Sequence, residues 1–175
     1  LKPVRIATVA TPRLCAEPLA EGHYAELCRL HQDARVMATL GGIRSDLETQ
    51  RFLETNLEHW QKHGYGLWVF RSRDDDRFVG RGGLRRVIVE RAQEVELAYA
   101  LLSEYWSRGL ATEMSRAIVT LGFERLELAE IVGFTLTTNM ASRRVLEKSG
   151  FTYERELIHA ELPHVLFRLR RPCQA

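Results

Sequence analysis

The sequence predicts an α/β (α+β) domain built on one mixed, mostly antiparallel sheet of about seven strands, with helices on both faces. Three observations carry this expectation. Apolar runs at residues 67–71, 77–84 and 94–102 follow one another with short polar turns between them. Segments with helical apolar spacing precede and follow these runs. The third run leads through a glycine-containing turn into a strongly amphipathic helix, which is followed by another short apolar run at residues 131–136.

Residues 14–18 read as a short strand. Residues 21–31 read as a helix, with Tyr24, Leu27, Cys28 and Leu30 apolar. Residues 46–63 form a second helix: Phe52, Leu53, Leu57 and Trp60 recur at helical spacing, and Ser45 or Asp46 caps it. The next three runs form an antiparallel meander. The charged stretch 71–77 is its solvated turn, where Asp side chains bond their own backbone. A helix begins near Arg108, with Leu110, Met114, Ala117, Ile118 and Leu121 on one stripe. Residues 131–136 read as a buried strand. Asn139 caps the next helix, because its side-chain oxygen accepts an orphan N–H, and Gly150 suits the left-handed position that ends it. Residues 152–158 and 164–170 close the sheet as a hairpin. Trp60, Trp68 and Tyr99 are assigned to the core.

A chain of 175 residues suffices for one sizeable core. The expected organisation is a lead-in at 1–10, one domain at 11–171 and a tail at 172–175. Hydrophobic content of 45% and charged content of 27% fit an ordinary globular protein. The net charge of +2 argues against a broad basic face for nucleic acid. No apolar run approaches the roughly 18 residues that span a membrane, and the first ten residues lack the apolar core of a signal peptide. Cys15, Cys28 and Cys173 show no metal spacing and leave an odd thiol, so reduced cysteines in a cytoplasmic protein are expected. His59 and His63 lie one helical turn apart but lack a third ligand, so no metal is expected. His159 and His164 flank the last hairpin turn; they would touch an acceptor only if that turn rims the site.

The turn Tyr105-Trp106-Ser107-Arg108-Gly109-Leu110-Ala111-Thr112-Glu113 is suited to hold a phosphate. The first N–H groups of a helix lack internal partners and carry the positive end of the helix dipole. Gly109 lets the backbone approach a ligand, Ala111 keeps the approach open, and Arg108 adds charge. The chain has no Walker loop, and Gly80-Arg81-Gly82-Gly83 has the wrong spacing for a dinucleotide fingerprint.

These residues, with Val95-Glu96-Leu97-Ala98-Tyr99 before them and Asn139 through Phe151 after them, resemble the GNAT acetyltransferases. Weaker matches lie at residues 11–14, 66–70, 78–80 and 165–169, so the resemblance spans about residue 11 to 170. Within the family the chain is similar to the Rim-type group, named for N-terminal acetylation of ribosomal proteins; Trp106, where many members have Gln or Arg, marks that subgroup. The resemblance implies a V-shaped splay between the fourth and fifth strands, the one ending near Leu102 and the one beginning near Ile131. The pantetheine arm of acetyl-CoA would lie in that gap, on backbone groups of Leu101, Leu102 and Ser103 left unpaired where the strands diverge. The pyrophosphate would meet Arg108, Gly109, Leu110 and Ala111, with Thr112 in the same turn and Asn139 as a further cofactor contact.

The implied activity is transfer of an acetyl group from acetyl-CoA to a primary amine, by direct attack in a ternary complex. The attacking amine must be neutral. At pH 7 deprotonation costs roughly 1.4 kcal/mol for an α-amine and roughly 4.6 for a lysine. Glu96 is the candidate base, on the same strand face as the small residues Ala98 and Ala100. Glu94 lies one step further out on that face. Either carboxylate could instead pair with an arginine such as Arg81 or Arg85. A backbone N–H near Leu101 or Leu102 would stabilise the thioester oxygen. Many members carry a tyrosine four residues before the Gly-Phe pair; Leu146 stands there in this chain. Ser142, one turn earlier, could protonate the leaving thiolate, bond the cofactor or serve the helix cap. No cysteine lies in the site, so no acyl-enzyme is expected. The acceptor is a protein N-terminus or a small amine, such as a polyamine, amino acid or aminoglycoside. A cationic acceptor would favour an acidic rim from Glu48, Glu54, Glu58 and Glu94. The protein would be a monomer or homodimer. From a different class, the same fold could bind acyl-CoA without catalysis, as a sensor or interaction module; in a third reading the turn holds an unrelated nucleotide.

Overall fold

The computed structural model describes residues 8–172. Its strands are β1 (Val9–Ala10), β2 (Leu14–Pro18), β3 (Leu67–Ser72), β4 (Phe78–Val89), β5 (Ala92–Leu101), β6 (Glu130–Leu136), β7 (Thr152–His159) and β8 (Leu162–Arg170). They form one eight-stranded sheet in the order β1-β2-β3-β4-β5-β6-β8-β7. Every neighbouring pair is antiparallel except β5 and β6. The strand beyond the expected seven is β1, which pairs Val9 with Ala16 and so draws the end of the expected lead-in into the sheet. The rest of that lead-in, residues 1–7, and residues 173–175 with Cys173 lie outside the described residues.

The helices are α1 (Tyr24–His31), α2 (Ala34–Met37), α3 (Asp46–His63), α4 (Leu110–Glu124) and α5 (Met140–Lys148). Successive side chains on β4 show how they are distributed. A Cβ on Gly82 would meet Met114 of α4 at 2.6 Å, whereas the next side chain back, Arg81, lies over the Phe52 ring of α3 at 4.7 Å. Strand neighbours point to opposite faces, so α3 and α4 cover opposite sides of the sheet.

Local chemistry fixes α3. Ser45 Oγ accepts the Glu48 N–H at 3.2 Å while Glu48 Oε2 accepts the Ser45 N–H at 2.7 Å. This reciprocal cap satisfies two orphan donors. Gly64 ends the helix in the left-handed region, with φ of 73°. Trp60 then docks α3 onto the sheet: its indole N–H donates to Leu67 O at 2.8 Å, and its ring meets Trp68 edge-on at 5.0 Å. Gly66 is required beneath it, since an added Cβ would sit 2.7 Å from the indole. On the other face, Met114 and Ile118 press on Gly82, and Leu146 of α5 fills the space above Gly133, where a Cβ would approach it to 2.5 Å.

The splay is present. β5 and β6 share a single register, Glu96 opposite Val132, and no pairing continues toward Leu101. The gap therefore opens at the C-terminal end of β5, where the chain turns toward α4.

Candidate active site

The α4 N-terminus is built from two left-handed residues. Ser107 has φ of 61° and Gly109 φ of 74°, with Gly109 as the N-cap and no side-chain cap bond. Such a turn aims successive N–H groups outward as an anion-binding concavity. The first-turn amides of Leu110, Ala111 and Thr112 are those a helix leaves without internal partners. Arg13, distant in sequence, joins this turn. Its Nη1 donates to Arg108 O at 2.9 Å, and its Nε donates to Glu113 Oε2 at 2.7 Å. Glu113 also accepts from Thr11 Oγ1 at 2.6 Å and from the Arg13 N–H at 2.9 Å. Burial pushes the Glu113 carboxyl up, but these bonds outweigh it and hold it below the usual carboxylate range. The β1–β2 turn is thus clamped to the helix start, with Arg13 and Arg108 both beside it. Only the short segment 11–14 hinted at this from sequence.

The strand edge beside the gap differs from expectation. Leu102 N–H already donates to Val79 O at 2.9 Å, and Leu102 O accepts the Tyr105 N–H at 3.0 Å. Leu101 O accepts the Trp106 indole N–H at 3.0 Å, and Ser103 O accepts the Trp106 N–H at 3.2 Å. The expected unpaired groups at these carbonyls and at Leu102 N–H are therefore occupied, because a 3-10 turn folds Trp106 back over the strand end. An antiparallel strand directs both main-chain groups of alternate residues to one side. With Leu102 bonded back toward β4, the N–H groups of Tyr99 and Leu101 face the gap. Leu101 keeps a donor there, and Tyr99 joins it.

Glu96 is buried and pairs with Arg85, Nη2 to Oε2 at 2.9 Å, which engages one oxygen of the carboxylate. Glu94 pairs instead with Arg168, at 2.9 and 3.1 Å, and Arg168 also holds Glu130 and Glu154. Arg168, Glu130 and Glu154 line a cavity of about 520 Å³ along β7 and β8. Both Glu94 oxygens are taken up by Arg168, whereas Glu48 and Glu54 stay exposed and accept from the Ser45 N–H and Gln50 Nε2.

The same sheet face is cationic beyond the Glu96–Arg85 pair. Arg44 and Arg81 stand over the Phe52 ring at 4.9 and 4.7 Å. Arg81 is only 4% exposed, and among the described residues it makes no hydrogen bond or ion pair; its Nε is sealed without a partner. Burial, then the charges of Arg85 and Arg44, pull its guanidinium down to about 9. Such an environment opposes the charged form by several kcal/mol.

Ser142 lies at the start of α5. Asn139 Oδ1 accepts its N–H at 3.1 Å, the expected cap, and its hydroxyl bonds Tyr99 OH at 2.8 Å. Burial pushes the Tyr99 phenol up to about 12, so it stays protonated. Tyr99, assigned to the core, therefore carries a hydroxyl coupled to Ser142. Leu146 is packed on Gly133 and contributes no polar group. On the sheet face of Glu96, Phe134 stacks on His159 at 4.7 Å and lies 6.0 Å from His164. Burial, then His164, lowers the His159 pKa and favours a neutral ring. His59 is half-buried: it accepts the Arg86 N–H at 3.0 Å and meets Tyr65 O at 2.9 Å, a structural bridge with one fixed tautomer. No group of side chains among the described residues is arranged to hold a metal.

A family model for the acetyltransferase (GNAT) domain matches residues 13–152. The FsC-acetyl coenzyme A-N(2)-transacetylase of Aspergillus fumigatus is 30% identical over 158 residues, 83% of this chain and 65% of its own length. The acetyltransferase of Agrobacterium tumefaciens superposes with a TM-score of 0.84 at 23% identity, covering 96% of each chain. The RimL ribosomal L7/L12 alpha-N-protein acetyltransferase, in complex with coenzyme A, superposes at 0.78 with 18% identity, covering 93% of this chain and 97% of its own. The Rim-type relative is thus not favoured over other members of the fold. Family match, strand order, splay and helix-start turn agree: the chain belongs to the GNAT acetyltransferases.

Proposed function

We propose that this protein transfers the acetyl group of acetyl-CoA to a primary amine by direct attack in a ternary complex. The observation that carries the reading is the β5–β6 opening, which lies between the uncapped, left-handed turn at Ser107–Gly109 and the buried carboxylate of Glu96. The residues suit coenzyme A. First-turn amides of α4, with Arg13 and Arg108, would hold the pyrophosphate, and the N–H groups of Tyr99 and Leu101 face the arm that would enter the gap. Acetyl-CoA would supply an activated thioester carbonyl. The Leu101 N–H, turned toward the gap, would be the donor for its oxygen. Glu96, fixed through one oxygen by Arg85, keeps the other to accept the amine proton. Ser142, backed by the neutral Tyr99 phenol, is the hydroxyl pair that can return a proton to the thiolate. The site would work in the cytoplasm on a primary amine, of a protein N-terminus or of a small molecule.

Release of free thiol from acetyl-CoA across amines, amino acids and peptides tests this directly. Acetyl-CoA at about 100 times its Kd should also stabilise the protein by roughly 2.7 kcal/mol, where ATP and NAD give no shift. Stabilisation by acetyl-CoA with no amine-dependent thiol release would leave a non-catalytic binding module.

Gly109→Ala checks the turn. A side chain at φ of 74° is strained by roughly 1–2 kcal/mol, and the new Cβ would lie 3.6 Å from Arg13 Nη2. The KM for acetyl-CoA should rise about tenfold with kcat little changed. An unchanged KM would mean that the diphosphate does not use these amides.

A further inference from the structure

The buried face around Glu96 carries more positive charge than the protein itself neutralises. Arg44, Arg81 and Arg85 converge there, and among the described residues the one carboxylate paired with any of them is Glu96. Glu48 is the other carboxylate whose charge reaches Arg44, and it is committed to Ser45 at the start of α3. His31, packed against Phe52 in the same cluster, adds no negative charge. Two positive charges are left over from three cations and one anion. Arg81 is the decisive member: it is 4% exposed and, among the described residues, bonded to nothing, with its Nε enclosed. A buried guanidinium without an acceptor is retained against its own desolvation cost, which points to a ligand rather than to folding.

We propose that the acceptor is a small amino acid: an amine that also carries a carboxylate, which Arg81 binds while the amine is directed to Glu96. This rests on the acetyl-transfer reading above and names its substrate class. In register, Arg81 lies opposite Ala100 and Arg85 opposite Glu96, so the cation and the base share one sheet face. Between Glu96 and the Arg81 position, β5 presents only Ala98 and Ala100 to that face. Arg81 and Glu96 flank that two-alanine stretch, the cation at its Ala100 end and the base at the other. A guanidinium presents two parallel donors that match a carboxylate, and the bond forms where water is excluded. A polyamine would meet Arg44, Arg81 and Arg85 with its own second cation and be repelled.

Free α- and β-amino acids are compared with their methyl esters as acceptors, using wild-type protein and Arg81→Met. The wild type should favour the acid over its ester by at least about 10-fold in kcat/KM. Arg81→Met should remove that preference mainly through the acceptor's KM, with the ester and the KM for acetyl-CoA shifted by no more than about twofold. Methionine fills a similar volume without charge, so the melting temperature of the variant should be at least that of the wild type. Calorimetric binding of N-acetyl amino acids, against their methyl esters, to the coenzyme A-loaded protein gives a second readout independent of turnover. Acid-selective binding lost in Arg81→Met supports the carboxylate site even if no amine is acetylated, in which case the enzymatic reading alone fails. Turnover or binding that treats acids and esters alike, or a variant that weakens both equally, overturns the proposal.

Discussion

Glu96→Gln is expected to lower kcat by about 100-fold or more while the KM for acetyl-CoA stays within about twofold. Glutamine keeps the shape of the side chain and an acceptor for Arg85, whose Nη2 lies 2.9 Å from Glu96 Oε2. It cannot take a proton. The defect should shrink as pH rises toward the pKa of the amine, because the acceptor then arrives neutral without help. That pH dependence separates a base from an anchor for Arg85: loss of an anchor would lower kcat by the same factor at every pH. The substitution also removes the one carboxylate paired within the arginine cluster, and breaking a buried pair costs roughly 3–5 kcal/mol. Activity must therefore be referred to folded protein. Glu96→Asp, which keeps the charge on a shorter arm, should recover stability more fully than rate. A glutamine variant with wild-type kcat at pH 7 would remove Glu96 from the mechanism.

Patterns local to the chain were legible. The cap at Ser45, the cap at Asn139 and the left-handed Gly150 all stand where turn chemistry puts them, and the helix-start turn at Gly109 follows from one glycine between a strand and an amphipathic stripe. Strand ends were not legible where the turns lack their usual residues. The β4–β5 hairpin turns through Glu90 and Arg91, with φ of 46° and 75°, and the β7–β8 hairpin through Ala160 and Glu161, with φ of 47° and 64°. Such turns favour Asn and Gly, so their absence made the flanking strands read short. β1 has two residues and α2 four, too few for any period to show; only the Asp33 cap, accepting the Arg35 N–H at 2.9 Å, could have flagged α2.

The candidate site divides along the same line. Alternation alone puts Glu96, Ala98 and Ala100 on one face, and it leaves Arg85 as a possible partner for Glu96. The partner of Glu94 is not legible in this way, because Arg168 of β8 reaches it across β6, and no local pattern encodes that strand order. Burial of Arg81 depends on α3 docking through Trp60 and setting Phe52 above β4. The strand run containing Arg81 reads as ordinary amphipathic β until that helix is in place. The same docking seals His31, which ties the chemistry of the cluster to the pH range over which the fold survives.

Acid should destabilise this protein well above the range in which its carboxylates titrate, and His31 is the main reason. The ring is fully buried, meets Thr49 Oγ1 at 3.0 Å through Nδ1 and Arg44 Nη1 at 3.4 Å through Nε2, and packs edge-on to Phe52 at 4.8 Å. Burial first, then the charges of Arg81 and Arg44, lower its pKa from 6.5 to about 3. The folded ring is therefore neutral where the unfolded one takes a proton. Below pH 6.5 the unfolded chain binds more protons, so stability falls as pH drops, by up to about 1.4 kcal/mol per pH unit, until the folded ring titrates near 3. His59 and His63, also lowered chiefly by burial, steepen the same slope. Glu17, Glu113 and Glu154, whose pKa values are lowered by their partners, contribute losses only further down, from about 4.5. Between pH 6.5 and 4.5 the histidine term stands apart, and a loss of roughly 2–3 kcal/mol there is a large share of the 5–15 kcal/mol typical of a domain. Urea midpoints measured across that window should fall steadily in the wild type. His31→Gln, which keeps a donor and an acceptor but does not titrate, should start less stable at pH 7.5 and show a clearly flatter slope. An unchanged slope in the variant would mean that His31 is protonated in the fold, and Arg44 and Arg81 could then not both remain charged beside it.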